Sequence, residues 1–242
     1  MVDSKRSYAV LYALVAIALV LLFVLNKEVE SPEPEPLPEE TEELVEEVLS
    51  VSAKKQRFLE QVVPVVTQVY ADLSKRYHKV EALLEEGVKG GLVAELKREY
   101  KANSDIELLQ ALKPHPPSVA LAQAAMESAW GTSRFFTEAN NVFGVWSFNA
   151  NEPRIAAGEQ RGNKTIWVRK YDCLEDSVRD YYRLLGRSHA FKNFRKLRMH
   201  SSDPYALVEK LHRYSERKHA YGEELSALIR YNKFTRFDDD QS

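Results

Sequence analysis

Hydrophobic residues follow three different patterns along the chain, and each pattern predicts a different kind of segment. Residues 8–25 form an unbroken apolar run, about 27 Å long as a helix, which is close to the thickness of a bilayer core. Apolar positions across residues 42–110 recur at helical spacing. Residues 165–171 alternate between apolar and polar side chains, as half-buried strands do.

The long helical stretch contains residues that predict where its helices end. Pro64 lacks the N–H that a helix interior needs, so we expect a kink or a break there. A separate helical segment at residues 80–86 is expected to end at Gly87. Two shorter helices are expected at residues 92–100 and 106–112.

The C-terminal half predicts helices around a small β-hairpin. An alanine-rich helix from about residue 118 to 129 follows two prolines and ends near Gly131. A second short helix is expected after Thr132. A strand is expected to start at residues 145–148 and to contribute to a hairpin with residues 165–171.

Three further helices are expected after the hairpin. Asp172, with Glu175 three positions later, has the arrangement of a capping box at a helix start. Gly186 is expected to stop that helix, whose buried stripe would consist of Leu174, Val178, Tyr181 and Leu185. Residues 203–204, an Asp-Pro pair, start another helix, and a final helix spans about residues 219–231.

The N-terminus predicts a membrane location. Lys5 and Arg6 precede the apolar run, so the positive-inside rule keeps residues 1–7 in the cytoplasm. The alternative is a cleaved signal peptide, which typically has a shorter apolar core followed by small residues. Residues 26–29 offer no such cleavage site. We therefore expect residues 8–25 to be an uncleaved single-pass anchor, with the rest of the chain on the side of the membrane away from the cytoplasm.

Charge is distributed unevenly between the linker and the body. Residues 28–47 hold ten Glu and no Lys or Arg, and alternation of Pro with Glu keeps part of this segment extended. From residue 48 to the end there are 31 basic and 25 acidic residues. A basic body suits polyanionic surroundings such as a cell wall, although a scattered surplus of charge would also serve solubility alone.

Glu127 is the residue whose setting points most directly to catalysis. It lies among alanines near a helix end, with Trp130 and Gly131 following. Desolvation there would raise the pKa of its carboxyl group, and a carboxyl still protonated near neutral pH can act as a general acid. The alternative is a solvated or structural glutamate. Arg134 is available nearby to orient a carboxylate.

Other kinds of chemistry find little support in the sequence. There is no Gly-rich phosphate-binding motif, and the six His residues lack metal-ligand spacing. Cys173 is the single cysteine and is expected to be a buried or semi-buried small hydrophobe. We expect no metal, no cofactor and no nucleic-acid partner, and the sequence names no protein partner.

Several motifs in order resemble one family of cell-wall enzymes. QAAMESAWGTSRF at residues 123–135 and NNVFG at residues 140–144 are followed by CLEDSVRDY at residues 173–181. SHAF at residues 188–191 and Tyr214-Ser215-Glu216 with Tyr221 continue the order. Together they resemble the bacterial Bax-type peptidoglycan hydrolases, within the endo-β-N-acetylglucosaminidase family that includes the flagellar cell-wall hydrolase. The resemblance covers about residues 54–231.

The resemblance implies a fold and a domain organisation. The fold would be α+β and predominantly helical, with a lysozyme-like two-lobed glucosaminidase domain whose small lobe is the β-hairpin. The expected parts are the cytoplasmic N-terminus 1–7, the anchor 8–25, the linker 26–48, a supporting helical subdomain 49–112, the glucosaminidase domain 113–237 and the acidic tail 238–242.

It also implies an activity and residues that perform it. Glycan strands of peptidoglycan would be cut at the β-1,4 bond after N-acetylglucosamine, with Glu127 protonating the leaving oxygen. Tyr214 would contact the sugar or the developing charge. The second carboxylate would lie on the hairpin as Glu159, with Glu152 as the alternative. The expected substrate-binding residues are Trp130, Asn141, Phe143, Trp146 and Tyr221. The alternatives are a lytic transglycosylase and a non-catalytic wall-binding scaffold.

Overall fold

The computed structural model describes residues 39–161, 164–214 and 219–238. The chain divides into two compact units, Met1–Glu47 and Val48–Ser242, and the site described below lies in the second. The expected anchor at residues 8–25 lies outside the described residues. Within the described residues, no helix is both long enough and apolar enough to cross a bilayer.

The described residues form nine α-helices and one two-stranded antiparallel sheet. In chain order these are α1 (Glu39–Glu85), α2 (Leu92–Tyr100), α3 (Asp105–Leu112), α4 (Pro117–Glu127), α5 (Arg134–Ala139), β1 (Arg154–Arg161), β2 (Lys164–Arg169), α6 (Leu174–Arg187), α7 (Lys192–Arg198), α8 (Pro204–Val208) and α9 (His219–Tyr231). Short 3-10 turns follow α6, α8 and α9. The domain is therefore predominantly helical with one hairpin.

Helix α1 continues through Pro64, where a kink or break was expected. It also continues to Glu85, so residues 80–85 belong to α1 and do not form the separate helical segment that was expected at residues 80–86. Pro64 is exposed, so the carbonyl that its missing N–H leaves unpaired can be solvated. The buried positions Val62 and Val66 lie on either side of it. The apolar face of the helix continues across the proline and holds the two parts in one core.

The larger of two hydrophobic cores surrounds α4. All nine residues of α4 from Pro117 to Ala125 are buried, and four alanines in the helix allow other backbones to approach closely. Phe58, Val62, Val66 and Val69 of α1 belong to the same core. A smaller core joins the end of α1 to α2 and α3. Helix α1 thus supports α4 directly, while α2 and α3 pack around the end of α1.

The hairpin differs from its prediction in its first strand. β1 is Arg154–Arg161, while the segment expected to begin the strand makes one isolated bridge, between Trp146 and Val168. Ser147 N–H donates to the Trp167 carbonyl at 2.8 Å. Residues 145–148 therefore lie beside β2 without forming a strand of their own.

The start and end of α6 also differ from the prediction. Its N-cap is Cys173, which makes no side-chain cap bond, so the capping box expected at Asp172 is wrong. Cys173 is exposed rather than buried. Gly186 lies inside the helix, which ends at Arg187, and a Cβ there would come within 2.7 Å of the Ala111 carbonyl oxygen. The glycine permits close contact with α3 and does not end α6.

Candidate active site

Glu127, predicted to lie near a helix end, is the last residue of α4, and its side chain is half-buried. Pro117 occupies the first turn of that helix, where its missing N–H costs no hydrogen bond. Because the preceding nine residues are buried, the helix is fixed along its length. Glu127 is therefore carried to the edge of the core on a rigid element.

The turn after Glu127 adopts an uncommon backbone conformation. Ala129, Trp130 and Gly131 have positive φ values of 51°, 58° and 75°. Only glycine adopts such angles without steric cost, so two of the three positions are strained by about 1–2 kcal/mol each. Ser128 compensates, because its Oγ donates to the Ala124 carbonyl at 2.6 Å and accepts from Gly131 N–H at 2.9 Å. The turn is held tightly just beyond the carboxylate.

Trp130 packs against α1 and the C-terminal turn. Its ring lies 5.4 Å from that of Phe58 and 6.3 Å from that of Phe234, measured between centroids. Nζ of Lys55 lies 4.9 Å from the ring centroid. The indole is half-buried, and these contacts with the protein show it holding the strained turn against the core.

Tyr221, on α9, connects Glu127 to the interior. Its side chain is completely buried, and its hydroxyl donates to Oε1 of Glu127 at 2.8 Å. The Tyr221 hydroxyl oxygen also accepts a hydrogen bond from Nε2 of Gln123 at 2.8 Å. Gln123 and Glu127 are four residues apart and lie on one face of α4, so one tyrosine contacts both. Tyr221 lies behind the carboxylate and presents no surface to a sugar.

A buried chain of hydrogen bonds continues from Gln123 into the core. Tyr181 donates to Oε1 of Gln123, and Nε2 of His115 lies 3.0 Å from the Tyr181 hydroxyl. Because the Tyr181 proton is used on Gln123, the network assigns the His115 proton to Nε2. Every donor in the chain then points toward Glu127. Nδ1 of His115 has no hydrogen-bond partner among the described residues.

Burial keeps this chain uncharged. It raises the pKa of Tyr221 above 10, and the nearby charge of Glu127 raises it further. Burial also raises the pKa of Tyr181 well above 10. The pKa of His115 falls well below 6.5 through burial, and the charge of Arg198 lowers it further. At neutral pH the side chains that lead to Glu127 are therefore neutral.

Tyr214 lies between the buried chain and a groove. Its ring stacks on that of Tyr221 with centroids 5.9 Å apart, and its hydroxyl donates to the Phe143 carbonyl at 3.2 Å. The groove has a volume of about 260 Å³, and its walls include Trp146 and Phe148. These two rings are 43% and 87% exposed. The groove presents aromatic surface close to the buried chain.

Asn141 and Phe143 lie in the interior beneath this groove. Nδ2 of Asn141 donates to the carbonyls of Val145 and Arg169, at 3.0 and 2.9 Å. The Phe143 ring stacks on Tyr181 with centroids 3.8 Å apart and an interplanar angle of 6°. Both side chains are almost completely buried. They hold the loop in place, and Phe143 also belongs to the wall of the groove.

The two hairpin glutamates lie at different places in the chain, one on β1 and one before it. Glu159 lies on β1, in the stretch where the register between the strands is irregular. Glu152 precedes β1, where it accepts a hydrogen bond from Ser147 Oγ at 2.7 Å and pairs with Nε of Arg169 at 3.3 Å. Glu152 is thus engaged by two neighbours of its own.

Arg134 links the hairpin to the helices. It opens α5, contacts Glu138 through Nη1 at 3.2 Å, and donates through Nη2 to the Ala156 carbonyl of β1. The carboxylate that Arg134 contacts is therefore Glu138, while its second bond ties β1 to the helix that follows the Glu127 turn. The described residues contain no group of three or more His, Cys, Asp or Glu that could hold a metal ion.

Comparison with known proteins identifies the family. The glucosaminidase model, described as mannosyl-glycoprotein endo-beta-N-acetylglucosaminidase, matches residues 103–234. The chain belongs to this family. The match includes Glu127, Tyr214 and Tyr221, and it confirms the resemblance inferred from the motifs.

Relatives of this glucosaminidase-family chain are distant. The protein bax of Escherichia coli strain K12 is 26% identical over 202 residues, covering 76% of this chain and 72% of that protein. Exo-glucosaminidase LytG of Bacillus subtilis strain 168 is 37% identical over 76 residues, which cover 29% of this chain and 27% of LytG. The catalytic domain of the autolysin Auto from Listeria monocytogenes is 21% identical and has a TM-score of 0.50. The match covers 76% of this chain and 88% of that structure. That last similarity shows the fold.

Three side chains of this site were not predicted from the sequence: Gln123, His115 and Phe148. Gln123 could have been found from its spacing, since it lies one helical turn before Glu127. His115 and Phe148 carried no such signal, because their roles depend on contacts with residues far away in the chain.

Proposed function

We propose that this glucosaminidase-family chain is a peptidoglycan hydrolase that cleaves the β-1,4 bond after N-acetylglucosamine. The observation that supports this most is the position of Glu127. It ends a buried helix, is half-buried, and accepts a hydrogen bond from Tyr221. The motif resemblance to Bax-type peptidoglycan hydrolases supplies the substrate class.

Glu127 is the general acid of the proposed reaction. Cleavage requires a proton on the leaving glycosidic oxygen, and positioned acid catalysis of this kind contributes about 10²–10⁴-fold to the rate. The Tyr221 hydroxyl donates to Oε1 and orients the carboxyl group. The buried donors behind Tyr221 keep this orientation fixed while the proton is transferred.

Sugar rings bind along the aromatic groove. Trp146 and Phe148 supply exposed faces, whose centroids lie 6.1 Å apart, for the apolar faces of sugars. Tyr214 lies at the inner wall of the same groove, close to the buried chain. In this proposal Trp130 does not bind sugar but stabilises the turn after Glu127, because its ring packs against Phe58 and Lys55.

Glu159 is the general base in this proposal, and the hairpin is the smaller lobe of a lysozyme-like arrangement. Two points favour Glu159. Glu152 is already engaged by Ser147 and Arg169. The bond from Arg134 to β1 holds the hairpin beside the helix that follows the Glu127 turn. An inverting enzyme requires carboxyls about 6.5–9.5 Å apart.

We also propose that residues 8–25 anchor the enzyme in the inner membrane, with the catalytic domain in the periplasm. The apolar run of the sequence supports this location. An anchored protein stays in the membrane fraction after carbonate extraction. Recovery of a soluble mature form that begins near residue 27 would contradict the anchor and favour a cleaved signal peptide.

The reaction is tested by incubating isolated sacculi with the purified full-length chain and analysing the products by mass spectrometry. Hydrolysis after N-acetylglucosamine leaves fragments with a reducing N-acetylglucosamine end. Fragments that end in anhydro-muramic acid would instead identify a lytic transglycosylase. Binding to sacculi without any soluble product would identify a non-catalytic scaffold.

A further inference from the structure

The aromatic groove continues into two further cavities that the proposed reaction does not use. The cavity next to it, of about 420 Å³, shares the walls formed by Trp146 and Phe148. A third cavity, of about 300 Å³, shares Lys101, Arg187 and His189 with the second. We refer to the second and third cavities together as the outer groove. It extends away from Tyr214 beyond the aromatic pair.

The outer groove is strongly basic. Six Lys and Arg side chains line it, against two carboxylates, Asp180 and Glu107. Asp180 is already bound by Nη1 of Arg169 at 2.7 Å and by the Tyr171 hydroxyl at 2.8 Å. Glu107 accepts a hydrogen bond from Asn103 N–H at 2.9 Å. The two acidic groups therefore do not neutralise the remaining cations.

Three of these cations, Lys101, Arg187 and Lys192, are exposed and form no ion pair within the described parts of the chain. The fold brings them together from three different helix ends. Lys101 caps α2 in a left-handed conformation with φ of 55°, Arg187 is the last residue of α6, and Lys192 is the first residue of α7. Together they create a site for negative charge at one end of the aromatic groove.

We propose that the outer groove binds the carboxylates of the peptide stems that glycan strands of peptidoglycan carry. This inference rests on the proposed function, because it takes the glycan to lie in the aromatic groove. Stems project from every second sugar, so a strand in that groove carries acidic peptide directly past Trp146 and Phe148. Three unpaired cations spread along a groove match an extended chain with several carboxylates.

The exposure of these three cations sets how strongly the outer groove should prefer stems with free carboxylates. A solvent-exposed ion pair changes affinity by only about two- to fivefold, and salt screens it. Three such contacts together therefore give about a tenfold preference for stems with free carboxylates over stems whose carboxylates are amides. Amidated stems keep the length and shape of the peptide and remove only its charge.

The test compares the binding of two soluble glycan fragments to the full-length chain carrying Glu127→Gln, which prevents cleavage. The probes are tetrasaccharides of alternating N-acetylglucosamine and N-acetylmuramic acid, one with free-acid tetrapeptide stems and one with amidated stems. The groove variant is Lys101→Gln/Arg187→Gln/Lys192→Gln. Its matched control is Lys54→Gln/Lys79→Gln/Lys89→Gln, which removes equal charge from exposed positions outside the three cavities. A third probe is glycerol 3-phosphate, a soluble fragment of an anionic lipid headgroup, because the proposed anchor at residues 8–25 would bind a vesicle by itself.

We expect the parent chain and the control to bind the free-acid fragment about tenfold more tightly, and the groove variant to bind both fragments alike. Equal binding of both fragments by the parent chain would overturn the stem assignment and leave the proposed glycan substrate intact. Loss of glycerol 3-phosphate binding in the groove variant, with no stem preference in the parent, would assign the groove to anionic lipid headgroups. No binding of either fragment would contradict the proposed function itself.

Discussion

The Tyr221 hydroxyl donates to Oε1 of Glu127 at 2.8 Å, across 94 residues of sequence. This bond joins α9 to the end of α4, and the tyrosine is in turn held by Gln123. A hydrogen bond donated to a carboxylate favours its charged form. Tyr221 therefore controls both where the carboxylate points and how readily it takes up a proton.

Tyr221→Phe removes this donor and keeps the ring that stacks on Tyr214. Without the hydroxyl, the charged form of Glu127 loses a stabilising contact, and its pKa in the variant rises. The high-pH limb of the kcat/KM profile, where the acid loses its proton, is expected to shift to higher pH by about one unit. Tyr231→Phe, at an exposed tyrosine, is the control. An unchanged limb would show that Tyr221 only fills space.

His115 predicts a pH dependence of stability. Its pKa in the folded protein is well below 6.5, while the unfolded chain has the ordinary value near 6.5, so the unfolded state binds more protons below that pH. Its contribution to stability is therefore complete above pH 6.5 and is lost as the pH falls, by up to about 1.4 kcal/mol per unit.

The replacement His115→Gln keeps a side-chain donor for Tyr181 and removes the titrating group. The free energy of unfolding, measured in urea between pH 7 and pH 5.5, is expected to fall less steeply for this variant than for the wild type. Equal slopes for the two proteins would mean that His115 is not held neutral by the fold.

Gly186 predicts a packing effect distant from the site. A Cβ at this position would lie 2.7 Å from the Ala111 carbonyl oxygen and 2.9 Å from Cε1 of Tyr100. Gly186→Ala should therefore lower the free energy of unfolding by about 1–3 kcal/mol, despite the better helix propensity of alanine. Gly90→Ala is the control, because a Cβ there meets nothing within 4 Å. Equal stability of the two variants would contradict the close contact between α6 and α3.

The hairpin carboxylates predict a ranking of two variants. Glu159→Gln is expected to lower kcat by about 10²–10⁴-fold with little change in glycan binding, as the loss of a general base does. Glu152→Gln is expected to be mild in kcat, because Glu152 is engaged by Ser147 and Arg169. The reverse ranking would transfer the role to Glu152. If neither variant affected kcat, catalysis would have to proceed without a hairpin base.

The sequence predicted the elements whose signals are local. The helices at residues 92–100 and 219–231 match closely, because apolar spacing defines each of them. Pro64 was misleading, because the buried positions on either side of it keep α1 in one core despite a lost hydrogen bond. β1 was missed because its middle, residues 156–158, is Ala-Ala-Gly, and its conformation depends on pairing with β2.

The site shows the same limit. Glu127 could be proposed as the catalytic acid from a short stretch of sequence, because its helix, its position and its motif are contiguous. Its partner Tyr221 was identified only as a sugar-binding candidate, since no periodicity shows which buried hydroxyl reaches a carboxylate 94 residues away. Asn141 and Phe143 were likewise predicted only as substrate-binding candidates, and no local pattern showed that Asn141 holds the loop or that Phe143 stacks on Tyr181.

The most direct measurement of the central claim is the turnover of Glu127→Gln on isolated sacculi, with soluble products quantified by mass spectrometry. Gln keeps the size of the side chain and an oxygen that can accept from Tyr221, so the melting temperature should stay within a few degrees of wild type. Turnover should fall by about 10²–10⁴-fold, because the amide has no proton to give. Release of fragments at close to the wild-type rate by this folded variant would contradict the assignment of Glu127 as the general acid.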